Sequence, residues 1–135
     1  MSNDKTTFNV EISPGELLDK YSILAIKADR INDPKRLFFV LNEIDVLKSC
    51  VQKIYDSFES TSSLFEKLLD VNKQLWDVED ALRNKEAKKV FDEEFIELAR
   101  NVYQFNDQRA AIKLEINNMF NCSIAEQKQH PSYTV

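Results

Sequence analysis

Between residues 40 and 82 the apolar side chains recur at alternating spacings of four and three. The first run is Val40, Ile44, Leu47, Val51, Ile54 and Phe58; the second is Leu64, Leu68, Val71, Leu75, Val78 and Leu82. Neither run misses a step. A stripe with this period puts its apolar side chains on one face of an α-helix, whereas a strand would alternate every second residue. Two such helices, joined only through Ser60-Thr61-Ser62-Ser63, must bury their stripes against each other and against further helices. The seams predict helices over about 34–58 and 62–88.

The flanking sequence supplies two more. Ser13-Pro14-Gly15-Glu16 is a helix start: Ser13 can cap, Pro14 suits the first helical position, and Glu16 completes a capping box. The helix it opens is expected over about 14–31, with Leu17, Tyr21, Leu24, Ala28 and Ile31 as its main stripe, until Asn32-Asp33-Pro34 breaks it. A fourth helix over about 92–121 carries Leu98, Val102, Phe105, Ile112, Ile116 and Met119. Before the first helix, Phe8, Val10 and Ile12 alternate with polar residues, the period of a short extended segment. The predicted fold is all-α. It is an antiparallel bundle of four main helices with a short extended N-terminal segment, one domain over 1–135, and less regular tails at 1–6 and 122–135.

Several function classes are hard to build from this chain. Gly15 is its one glycine, so the glycine-rich loops that cradle phosphates in Walker and dinucleotide-binding motifs cannot form. His130 is the one histidine and falls in a polar tail, which leaves histidine-based triads, dyads and metal sites without a centre. Cys50 and Cys122 form no CxxC and read as reduced thiols, too few for structural zinc. A net charge of −5 without a basic stripe argues against a nucleic-acid partner. The longest apolar run, Leu37 to Leu41, is far short of a membrane span, and MSNDKTTF has no secretory pattern. A cytoplasmic protein without a bound metal or cofactor is expected.

The pattern breaks at one place. The fourth seam steps 98, 102, 105, 109, 112, 116, 119, and position 109 is Arg109. An unpaired guanidinium inside an apolar stripe costs several kcal/mol, so Arg109 must meet an acid or an anionic ligand. Asn106 and Lys113 flank it a turn either way. Asn72, Trp76, Glu79 and Arg83 form a polar column on the third helix, with Glu79 one candidate partner for Arg109. Lys20 and Lys27 share one face of the first helix, and Arg100, Tyr103 and Asp107 form a column on the fourth.

These residues support two readings. In one, partly buried ion pairs fix helix register and the bundle is a structural or protein–protein interaction module. In the other, Lys20, Lys27, Arg83, Arg109 and Lys113 bind an anion in an inter-helix pocket. Glu79 would then orient the arginines, Arg100 and Asn106 would line the site, and Trp76 or Tyr103 would stack on a ring. The second is the leading expectation: a non-catalytic protein that holds a small anionic, nucleotide-like ligand. Apolar residues off the main stripes, among them Ile23, Ile26, Phe38, Ile96, Ala99, Tyr103, Ala110 and Leu114, mark helices that are either central in the fold or packed in a homo-oligomer, most simply a dimer, and the oligomer is the favoured expectation.

An enzyme reading comes third. Glu94 and Glu97 followed by Glu115 and Asn118 approach the paired acidic motifs of helical, metal-dependent nucleotide pyrophosphohydrolases. Asn118 is a weak magnesium ligand, and nothing between the pairs breaks the helix. Glu16 and Asp19 with Asp77 and Asp80 give another acidic set, expected on solvated faces.

Three stretches, ISPGELLDKYSILAIKADRI at 12–31, LWDVEDALRNKE at 75–86 and FDEEFIELARNVYQFNDQRAAIKLEIN at 91–117, resemble a bacterial and phage family of short proteins of unknown function. The tail residues Glu126, Lys128 and Tyr133 fit as well, while 34–64 is generic. The resemblance implies no activity. It implies only that Lys20, Lys27, Trp76, Glu79, Arg83, Arg100, Tyr103, Asn106, Asp107, Arg109 and Lys113 lie inside the recognisable motifs.

Overall fold

The computed structural model describes residues 6–133. Residues 1–5, where a loose end is expected, and the last two residues lie outside that range. The described chain forms α1 (Pro14–Arg30), α2 (Pro34–Ser57), α3 (Thr61–Ala87) and α4 (Glu93–Met119). Helix α1 packs against all three others, α3 and α4 pair with each other, and α2 lies mostly against α1, in the packing of a four-helix bundle.

The helix ends follow from local chemistry. The first amide hydrogens of α1 have no partner within the helix. Glu16 N donates to Ser13 Oγ at 3.2 Å, Leu17 N donates to the Ser13 carbonyl at 3.0 Å, and Gly15 N donates to Asn117 Oδ1 at 2.7 Å. Pro14 has no hydrogen to place. Asp33 and Asp92 cap α2 and α4 through the amides of Arg36 and Phe95. The α3–α4 turn passes through Lys89 and the end of α4 through Asn121, both at positive φ, 58° and 54°.

The seams of α2 and α3 face inward. Leu64, Leu68, Val71, Leu75 and Val78 are buried along α3, and Val40, Val51 and Ile54 along α2. The main core joins Leu17, Leu18, Val51, Ile54, Leu64, Leu68 and Ile116, at one end of the bundle. Burying a side chain of this kind stabilises by about 1.5–3 kcal/mol.

Helix α1 departs from the expected phase. Its most deeply buried side chains are Leu18, Asp19, Ser22 and Ile26, not the Leu17–Ile31 stripe alone. The physical reason is its central place: a helix touching three others buries more than one face, so no single stripe marks its core. Residues 6–12 join no helix or sheet, and Phe8 and Val10 are 85% and 78% exposed.

Candidate functional site

The start of α1 lies directly on α4. A Cβ at Gly15 would sit 2.4 Å from the Lys113 carbonyl oxygen and 2.7 Å from Asn117 Oδ1, so only glycine fits this crossing. One turn on, Asp19 is 1% exposed. Arg109 Nε donates to Asp19 Oδ1 at 2.8 Å and Arg109 Nη2 to Asp19 Oδ2 at 2.5 Å, a two-pronged pair. Asn72 Nδ2, from α3, donates to Asp19 Oδ1 at 3.0 Å and to Ser22 Oγ at 2.7 Å. Ser22 Oγ in turn donates to the Asp19 carbonyl at 2.7 Å. One carboxylate thus ties together three helices.

Lys113 extends the network. Its Nζ lies 2.7 Å from Glu16 Oε2, 3.0 Å from Glu126 Oε2 and 3.8 Å from Asp19 Oδ2. Glu126 belongs to the irregular C-terminal stretch, so this contact fastens the tail to α4. Tyr133 adds a second fastening: its hydroxyl donates to Asp107 Oδ2 at 2.7 Å, and its ring centroid lies 4.9 Å from that of Tyr103. Among the described residues no buried side-chain nitrogen or oxygen lacks a partner.

The charges set the titration. Burial pushes the Asp19 carboxyl up, but hydrogen bonds from Arg109 and Asn72 and the charges of Arg109 and Lys113 outweigh it, so it sits below its ordinary value. The hydrogen bond to Asp19 leads the causes that raise Arg109. Burial pulls Lys113 down, and Glu16, Glu126 and Asp19 more than reverse it. The Lys113 contact holds Glu126 low.

On the far side of Arg109 a cleft of about 550 Å³ opens between α1, α3 and α4. Ile23, Ile26, Leu75 and Trp76 give it apolar walls; Asn72, Glu79, Asp80, Arg83, Asn106 and Arg109 give it polar ones. The Arg30 guanidinium stands 5.9 Å from the Trp76 ring centroid and bonds Asp77 at 2.6 Å. Arg109 uses two of its five N–H donors on Asp19, which leaves three.

Trp76, Glu79, Arg83, Asn106 and Arg109 therefore meet at one cleft, and the other candidates do not. Lys20 pairs with Glu43 of α2 at 2.9 Å, and Arg100 lies 3.5 Å from Glu97 on its own helix. Lys27 is half-buried outside the cleft. Lys113 is enclosed by carboxylates on the other side of Arg109, and Tyr103 packs on the tail.

Three expectations need correction. The partner of Arg109 is Asp19, not Glu79. Asn72 is the α3 residue at the level of Asp19, and Glu79 lies two turns further along, about 10 Å away. Asp19 is likewise not on a solvated face; α1 is buried on that side too. Glu16, read as half of a capping box, directs its carboxylate to Lys113 instead. Sequence reasoning missed Asp19, Ser22, Asn117 and Glu126 as partners in this network. A signal for Ser22 was present: Gly15 and Ser22 are small residues seven apart on one face of α1, and small residues at such spacing mark a close crossing. Nothing periodic marks Glu126.

Helix α4 runs unbroken from Glu93 to Met119, so Glu94, Glu97, Glu115 and Asn118 lie on one rod and cannot clasp a single ion. Among the described residues no three His, Cys, Asp or Glu side chains are placed to hold a metal, and no helix is long and apolar enough to cross a membrane.

The fold and the buried clamp thus define a small four-helix bundle with a mixed-charge cleft beside its α1–α4 seam. The chain belongs to a family of unknown function, DUF6165, whose profile matches residues 8–134. No curated protein and no solved structure matches it.

Proposed function

We propose that this chain is a non-catalytic binding protein whose inter-helix cleft holds a small ring-bearing anion. The observation that carries the reading is the convergence of Trp76 and Arg83 from α3 with Asn106 and Arg109 from α4 on one cleft of about 550 Å³, a volume suited to a small ligand. Trp76 offers a face for a flat ring. Arg83, for which no ion pair is seen among the described residues, and the remaining donors of Arg109 offer contacts for a phosphate or carboxylate. Asp19 cancels the charge of Arg109 and fixes its direction. Glu79 and Asp80 share the wall, so like-charge repulsion favours a singly phosphorylated or carboxylated ring over a polyphosphate. Lys20, Lys27, Lys113, Arg100 and Tyr103 take no direct part in this version of the site.

Thermal unfolding with nucleoside monophosphates, sugar phosphates and inorganic phosphate tests the reading. A ligand at a hundred times its Kd should stabilise by about 2.7 kcal/mol. Trp76→Ala and Arg83→Gln should lose that response while melting as the parent does without ligand. No response from any member of the panel, or an unchanged response in Arg83→Gln, would overturn it.

One observation favours a second reading. Arg109 and Lys113 are already matched by Asp19, Glu16 and Glu126. A closed network of this kind also serves a structural or protein–protein interaction module with no small ligand.

A further inference from the structure

The cleft holds more charge than an anion alone can use. Glu79, Asp80 and Arg83 line it together with Trp76, Asn106 and Arg109. Glu79 is half-buried, and Asp80 and Arg83 are exposed. Glu79 stands four residues before Arg83 and Asp80 three, the spacings at which a helix pairs opposite charges, and an acid placed before its base is the better order. Neither pair forms. Among the described residues no side-chain hydrogen bond or ion pair is seen for Glu79, Asp80 or Arg83. Earlier on the same helix the four-residue spacing is used: Gln74 Nε2 donates to Asp70 Oδ2 at 2.8 Å.

The charges on the cleft wall do not balance. Arg109 is matched by Asp19, and Arg30, which stands near the indole, is matched by Asp77. What is left is two carboxylates, Glu79 and Asp80, against the single guanidinium of Arg83. A ligand with only an anionic group satisfies Arg83 and is repelled by the two acids. A ligand with only a cationic group does the reverse. One that carries both answers all three side chains.

The order of these groups along α3 sets the shape of such a ligand. At 100° per residue Trp76, Glu79, Asp80 and Arg83 fall within an arc of about 100°. Glu79 and Asp80 lie about 5 Å beyond Trp76 along the axis, and Arg83 about 10 Å beyond it. The wall therefore reads aromatic ring, then acids, then base. A flat ring on Trp76, with an ammonium a few bonds away and a carboxylate just past it, follows the same order.

We infer, building on the anion-binding reading of the cleft, that its ligand is a ring-bearing zwitterion of the class of the aromatic α-amino acids, with the ammonium held by Glu79 and Asp80 and the carboxylate by Arg83. Trp76 is the chain's one tryptophan, so its fluorescence reports on the cleft directly. The test is a fluorescence titration of the full chain at neutral pH with three probes: L-phenylalanine, hydrocinnamate, which lacks the amine, and phenethylamine, which lacks the carboxylate. L-phenylalanine should bind at least about tenfold more tightly than either of the others. Glu79→Gln combined with Asp80→Asn should reduce L-phenylalanine to the level of hydrocinnamate, and the variant should melt as the parent does without ligand. Hydrocinnamate binding as tightly as L-phenylalanine overturns the zwitterion and leaves the anion reading standing. Phenethylamine binding as tightly overturns both, because no anion is then held. Silence with all three probes overturns the zwitterion, and the anion reading falls with it only when the phosphate panel is silent too. A preference for L-phenylalanine that survives the double substitution overturns the assignment to Glu79 and Asp80.

Discussion

The α1–α4 seam and the outer face of α2 each carry residues in unexpected places. At the seam, charged groups lie inside the protein, and every one is matched: Asp19 by Arg109 and Asn72, Lys113 by Glu16 and Glu126. On α2, apolar groups lie outside, and no described residue covers them. The recognisable motifs, 12–31 and 91–117, coincide with the seam, and the generic stretch 34–64 contains α2. The seam is specified residue by residue because a buried charge tolerates few alternatives. The α2 face needs only apolar bulk, which many residues supply.

Substitutions can break this contrast. Asp19→Ala leaves Arg109 partly buried without its acid and removes an acceptor from Asn72. Breaking one partner of such a pair costs about 3–5 kcal/mol, read by urea unfolding, and it should be the most damaging single change considered for the seam. Gly15→Ala should cost about 1–3 kcal/mol, because its Cβ meets the backbone of α4 rather than a movable side chain.

Acid should weaken the seam. Asp19 and Glu126 are both held below their ordinary values in the folded chain. The unfolded state therefore binds protons at a higher pH than the folded state does. Their stabilisation is present above the unfolded carboxylate pKa, about 4, and is lost as pH falls below it. A melting temperature followed downward from neutral pH should fall through that window, and an Asp19→Asn variant should fall less steeply from a lower start. Glu126→Gln should have a smaller effect, about 1 kcal/mol or less, since that carboxylate is half exposed. The smallest effect belongs to α2: Phe39→Ser in dilute solution should change stability by no more than about 0.5 kcal/mol, as expected for a surface position.

The same contrast explains what was legible in the sequence. The stripes of α2 and α3 could be read because each of those helices has one main core face, and the period survives. Arg109 stood out because it interrupts such a period in α4. Its partner did not, because α1 buries several faces at once and Asp19 looked solvated next to Glu16. The grouping of Trp76, Glu79, Arg83, Asn106 and Arg109 followed from helical phase on α3 and α4. Phase alone could not exclude Lys113 or Tyr103, which the tail claims through Glu126 and Tyr133. An irregular tail has no period, so its docking contacts had no signature to read.

The central claim is that Asp19 and Arg109 form one coupled unit that joins α1 to α4 and sets the wall of the cleft. A double-mutant cycle with Asp19→Ala and Arg109→Ala, read by urea unfolding, tests it most directly. The account predicts a coupling energy of about 2 kcal/mol or more, with the double variant little worse than Asp19→Ala alone. Effects that simply add, within about 0.5 kcal/mol, would contradict it.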